Sequence, residues 1–100
     1  MGKQIKIDGI DFWGLYNLNN QMKELGGVYV IIDGDGTFID VGQSDNFNIR
    51  PKNHDRQPCW QRHCSNGIYF AAKVISDTDQ RTLVEQSIRR NHPEMPCGER

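Results

Sequence analysis

The chain is short of the features that settle a protein's class at a glance. No apolar run approaches the roughly 18 residues of a membrane-spanning helix. The N-terminal Lys3-Gln4-Ile5-Lys6-Ile7 is too short and too polar for a signal peptide. Cysteine is scarce: three residues, an odd number without framework spacing, fit a reducing cytoplasm better than a disulfide scaffold. Neither sign of charge dominates, with 12 Lys+Arg against 13 Asp+Glu. That balance excludes a surface that wraps nucleic acid on every side. Internal repeats and low-complexity stretches are lacking, and 100 residues suffice for one domain with a modest core.

What the chain does have is a well-marked hairpin. Val28-Tyr29-Val30-Ile31-Ile32 and Thr37-Phe38-Ile39-Asp40-Val41 are apolar runs on either side of Asp33-Gly34-Asp35-Gly36. The intervening residues are turn formers, so the piece reads as two antiparallel strands. The acidic turn hints at a calcium loop but lacks the later ligands and the closing glutamate. Before the hairpin, residues 1–26 read as an N-terminal extension packing on the core. In it, Ile5-Lys6-Ile7 alternates like a short strand, Asp8-Gly9 is a turn, and Phe12, Trp13, Leu15, Tyr16 and Leu18 are expected to cover one side of the core. Residues 20–25 are expected to form a short helix stopped by Gly26-Gly27.

After the hairpin, Ser44 or Asp45 can cap a short helix from Asn46, interrupted by Pro51. Pro58 opens a second turn holding Trp60. Residues 68–75 are a third strand of high β propensity. Asp77 or Thr78 caps the clearest helix, which runs to about Asn91, with Leu83, Val84, Ser87 and Ile88 at helical spacing on one face and Glu85 beside it. The fold class expected is α+β: a small three-stranded mixed or antiparallel sheet flanked by helices. Basic residues concentrate between Asn48 and Cys64, where Arg50, Lys52, Arg56 and Arg62 stand against Asp55, with His54 and His63 added. A nucleic-acid contact would therefore be local and salt-sensitive.

Gly27-Val28-Tyr29, followed by Asp40-Val41-Gly42-Gln43-Ser44, resembles the opening motif of the GIY-YIG nuclease family, and the likeness runs over residues 27–98. Arg50, His54 and Glu85 follow in the order that this resemblance implies for a catalytic set. It implies a DNA endonuclease using one Mg²⁺ or Mn²⁺ held by Glu85. In such a site Tyr29, with His54, accepts the proton of the attacking water, and a nearby guanidinium or metal makes the phenol useful by stabilising phenolate. Arg50 offers a planar fork to phosphate oxygens. Lys52, Arg56, Arg62 and His63 would line the approach and contact DNA. The resemblance also implies that Tyr29, Arg50, His54 and Glu85 converge on one concave surface, with Tyr29 and Glu85 on the same face of the sheet.

Two positions depart from the family pattern: Asp40 stands where a second tyrosine is usual, and Gly98 where an asparagine is usual. Asp40 keeps an ionisable group, expected exposed at the site, that can serve as a base or an extra metal ligand. The alternative reading is a catalytically weak or inactive module that binds nucleic acid or another protein. The near-neutral charge points to a homodimer or a partner subunit, and the protein is expected in the cytoplasm. A third reading, zinc held among His54, Cys59, His63, Cys64, His92 and Cys97, lacks a Cys-x₂-Cys or His-x₃-His pair.

Overall fold

The computed structural model describes residues 3–50 and 55–98. Seven elements follow in the order β1 (Lys3–Ile7), β2 (Ile10–Asn17), β3 (Gly27–Asp33), β4 (Phe38–Ser44), α1 (Gln57–His63), β5 (Ile68–Val74) and α2 (Thr78–Asn91). The strands make one antiparallel sheet in the order β1-β2-β5-β3-β4. The α+β class is as expected, but the sheet has five strands where the sequence predicted three. The difference is the N-terminal extension: β1 and β2 turn at Asp8-Gly9, and β2 then pairs along β5.

β3 is an interior strand, hydrogen-bonded to β4 on one side and β5 on the other, and all its residues are buried. Its alternation sorts the core into two layers. Val28, Val30 and Ile32 join Phe12, Val41, Ala71 and Ile88 beneath α2. Tyr29 and Ile31 join Ile39, Phe47, Phe70 and Trp60 beneath α1. Of the extension's apolar residues, Phe12 is fully buried while Trp13 and Leu15 remain about half exposed, contrary to expectation. Leu83 is likewise turned to solvent, and the inward side of α2 is carried by Arg81, Val84 and Ile88. Asp77 caps this helix by accepting from Asp79 N at 2.9 Å.

No helix forms over residues 20–25. Asparagine side chains claim the local backbone instead: Asn17 Oδ1 accepts from Asn19 N, Asn20 Oδ1 from Asn17 N, and Asn48 Oδ1 from Met22 N. The same competition marks the segment after β4. Ser44 Oγ accepts from Asn46 N, and Ile49 N and Arg50 N both reach Asn46 O, closing a turn over 47–50. The expected interruption at Pro51 lies outside the described residues. Pro58, read as a turn former, sits in the first turn of α1, where a missing N–H costs nothing.

Asp33 organises the hairpin turn. Its Oδ1 accepts from Asp35 N and Thr37 N, and its Oδ2 from Ser65 N, so no cation is needed to account for this acidic loop. Burial opposes ionisation of this carboxyl, but the N–H donors of Thr37, Ser65, Asp35 and Gly36 outweigh it and hold the pKa below the usual value. A lowered folded-state pKa contributes stability that is complete above the unfolded value of about 3.9 and is lost as pH falls through the folded one. Urea unfolding from neutral pH downward should therefore show a loss of stability below about pH 4 that is reduced in Asp33→Asn. That variant is also expected to be about 1–2 kcal/mol less stable at pH 7, since an amide accepts these N–H groups more weakly.

Candidate functional site

β4 lies at an edge of the sheet, and its residues Asp40 to Gln43 form the centre of the candidate site. Tyr29 is paired with Gly42 across β3 and β4. The phenol lies over that glycine: a Cβ there would come 2.5 Å from Tyr29 Oη and 2.6 Å from Cζ. The glycine of the Val41-Gly42 step thus has a steric reason, since a side chain there would overlap the phenol. Gly42→Ala is expected to displace the buried ring and cost about 1–3 kcal/mol, read by thermal or urea unfolding together with Tyr29 ring chemical shifts.

Four charged side chains bear on this phenol. Burial raises its pKa far above the usual value of about 10, Arg56 lowers it, Asp40 raises it, Arg50 lowers it and Glu85 raises it. Burial wins. The neighbouring guanidiniums do favour phenolate, as expected, but taking the oxygen out of water costs more than the two arginines return. Burial thus favours the neutral phenol at neutral pH in the protein alone.

The expectation that Tyr29 and Glu85 share one sheet face is corrected. Tyr29 belongs to the layer under α1, whereas Glu85 rises from α2 on the opposite face. They are nonetheless within electrostatic range of one another, Glu85 raising the pKa of the phenol. Glu85 is held there by Gln43, whose Nε2 donates to Glu85 Oε1 at 2.9 Å and to Thr82 Oγ1 at 3.2 Å. Arg89, one helical turn on, stands 3.8 Å from Glu85 Oε2. Arg81, the other four-residue neighbour, turns instead to Asp45 and the carbonyl of Ile75.

Asp40 is fully buried, not exposed. A bulge explains how. Ile31 pairs with Asp40 but Ile32 with Phe38, which leaves Ile39 as the extra residue. Ile39 and Asp40 then both serve the α1 side, while Phe38 and Val41 serve the α2 side. Phe38 packs with the ring of His92, at 4.6 Å between centroids. The buried carboxylate is compensated on every side. Asp40 Oδ2 accepts from Arg56 Nε at 2.7 Å and Trp60 Nε1 at 2.8 Å. Oδ1 accepts from Val41 N at 2.8 Å and Arg89 Nη2 at 3.3 Å.

Gly98 closes over this cluster in a backbone conformation that disfavours any side chain, φ +114°, and a Cβ there would overlap Arg89 and come 2.6 Å from Asp40 Oδ1. Asp40 and Gly98 are thus neighbours in space, and the small residue makes room for the charged one.

Arg50 is exposed at the end of the 47–50 turn, and Arg62 and His63 are exposed on α1. Arg56 is three-quarters buried against Asp40, so it belongs to this cluster and not to an outer rim. His54 and Lys52 lie outside the described residues. The described set therefore gathers Tyr29, Asp40, Arg50, Arg56 and Glu85. Gln43, Trp60 and Arg89 join it without having been singled out from the sequence. Gln43 shares the parity of Val41, and Arg89 lies four residues after Glu85, so both carried a faint signal; Trp60 carried none.

The odd cysteine count was a poor guide. Cys59 and Cys97, 38 residues apart, form a disulfide, and Cys64 is free. Burial first, then the nearby Asp33 carboxylate, push the Cys64 thiol up to about 11. Among the described residues, no helix is long and apolar enough to cross a membrane. No family model, no curated protein and no solved structure matches this chain.

Proposed function

We propose that this domain hydrolyses DNA phosphodiester bonds as a divalent-metal-dependent endonuclease, with its site on the β4 edge. The observation that supports this reading is that Arg50 and Glu85 both act electrostatically on the buried Tyr29 phenol. What counts against it is that Tyr29 and Glu85 belong to opposite faces of the sheet, an arrangement the resemblance does not imply. A phosphodiester needs a cation for its equatorial oxygens, a fixed hydrogen-bond donor and a carboxylate able to hold a metal. Arg50, the exposed member, engages the phosphate. Tyr29, fully buried beneath Gly42, shapes the floor of the site.

Glu85 suits Mg²⁺ or Mn²⁺, because such ions accept one carboxylate when substrate phosphate and waters complete the shell. Its side chain is partly exposed, and Gln43 fixes one oxygen while leaving lone pairs open. The cation, when bound, supplies Lewis-acid compensation of developing negative charge. With the phenol kept neutral, proton acceptance falls to His54, the other base in the resemblance. Asp40 takes a positioning role, holding Arg56, Trp60 and Arg89 around the site, in place of the base or metal ligand first assigned to it. Arg62, His63 and Lys52 supply local phosphate contacts, and the balanced net charge favours a second subunit that completes the DNA interface.

A second reading is a module that binds nucleic acid or protein without cleaving. The observation that favours it is Arg89, which sits 3.8 Å from Glu85 and competes with any metal for that carboxylate. The test is incubation with supercoiled plasmid in Mg²⁺, in Mn²⁺ and in EDTA. Nicked or linear product with either cation and none with EDTA is expected. DNA binding without product in both cations supports the second reading instead.

A further inference from the structure

We propose that Cys59, His63 and Cys97 form a Zn²⁺ site when the disulfide between the two cysteines is reduced. Cys59 and His63 are four residues apart on α1, so they share one helix face. Cys97 reaches them from the segment that follows α2. The two sulfurs and an imidazole nitrogen all lie within 4.8 Å of one another. A tetrahedral zinc ion, with bonds of roughly 2.0–2.3 Å, needs ligand atoms separated by roughly 3.5–4 Å, so the three groups close on it with small movements.

The donor set is selective. Two thiolates and one imidazole suit a borderline-soft cation and not Mg²⁺, which takes oxygen ligands. The two thiolates also neutralise the ion's charge without help from a carboxylate. Burial grades across the cluster: Cys97 is buried, Cys59 is partly buried and His63 is exposed. An ion can therefore enter from the His63 side, with a water completing the shell.

The bridge and the ion are alternatives, because both use the same sulfurs. An external dithiol breaks the Sγ–Sγ bond by delivering two electrons and two protons to Cys59 and Cys97, and closes its own disulfide. Zn²⁺ then displaces the two thiol protons to solvent. Either fastening ties α1 to the tail. That matters because α1 carries Trp60 to Asp40 and is preceded by Arg56, while Gly98, next to Cys97, covers the same carboxylate. The cluster is thus a clasp over the Asp40 network that survives a change of redox environment by exchanging a covalent bond for a metal.

The test uses the whole chain, oxidised and reduced by a trialkylphosphine under anaerobic conditions. Zn²⁺ is titrated against a chromophoric chelator, and circular dichroism confirms the fold in each state. The reduced protein is expected to bind one Zn²⁺ at least 100-fold more tightly than the oxidised protein. Co²⁺ in its place should show thiolate charge-transfer bands and the visible bands of a tetrahedral ion. His63→Ala, at an exposed position that leaves the fold intact, should weaken binding at least tenfold, and Cys64→Ser should leave it unchanged. Equal affinity in both redox states, no Zn²⁺ uptake by the folded reduced chain, or full affinity in His63→Ala would overturn the proposal.

Discussion

Asp40→Ala is expected to lower the unfolding free energy by about 3–5 kcal/mol, the range for removing one partner of a buried ion pair. The carboxylate has no solvent exposure and is shared by Arg56, Arg89, Trp60 and the Val41 amide. Its removal takes the charge partner from two guanidiniums and the acceptor from an indole N–H within the core, and leaves a cavity beneath Gly98. Arg56 and Arg89 each keep about a quarter of their side chains exposed and recover some hydration, which places the effect toward the lower end of the range. Asp40→Asn preserves volume and an acceptor oxygen and should fall between wild type and alanine. Equilibrium unfolding in urea reads both. A loss under about 1 kcal/mol for the alanine variant would mean that the carboxylate does not organise this edge.

Arg50→Ala is expected to leave stability within about 0.5 kcal/mol of wild type, as usual for an exposed substitution, while lowering the cleavage rate by 10² or more. The two readouts should separate, because the residue sits exposed on a surface turn and, on the proposed reading, faces the charge that develops on phosphate. Arg50→Lys should recover little of the rate, because an ammonium cannot reproduce the two-point hold of a guanidinium. If binding and rate fall together by only a few-fold, Arg50 is one phosphate contact among several and has no special place in the transition state.

The hairpin, the third strand of the expected sheet and α2 were legible because each combines strong local propensity with a cap or a turn former. The β1–β2 pair was less so. Phe12 is buried but Trp13 and Leu15 face solvent, so large apolar residues occur on both sides of β2 and blur its alternation. Residues 20–25 misled for another reason: Asn17 and Asn20 close a turn leading into the segment, and the distant Asn48 takes the Met22 N–H within it. The order of Tyr29, Arg50 and Glu85 suggested a shared site on one sheet face, whereas Tyr29 and Glu85 belong to opposite faces and meet only through their charges at the β4 edge. The fit of the Tyr29 ring over Gly42 and the facing of Asp40 set by the bulge at Ile39 are three-dimensional and carry no local signal. The burial of Asp40 was illegible because its compensation comes from α1 and α2, at residues 16 to 49 positions further along the chain.

The central claim is that Glu85 at the β4 edge holds the cation needed for phosphodiester cleavage. Its most direct test compares wild type with Glu85→Gln on supercoiled plasmid in Mg²⁺ and Mn²⁺. Glutamine keeps the volume and helix propensity, and loses the charge that holds a metal. Wild type should nick or linearise the plasmid in a metal-dependent way. Glu85→Gln should yield no product above the EDTA background, with an unchanged melting temperature and unchanged DNA binding. Cleavage by Glu85→Gln at the wild-type rate would contradict the account.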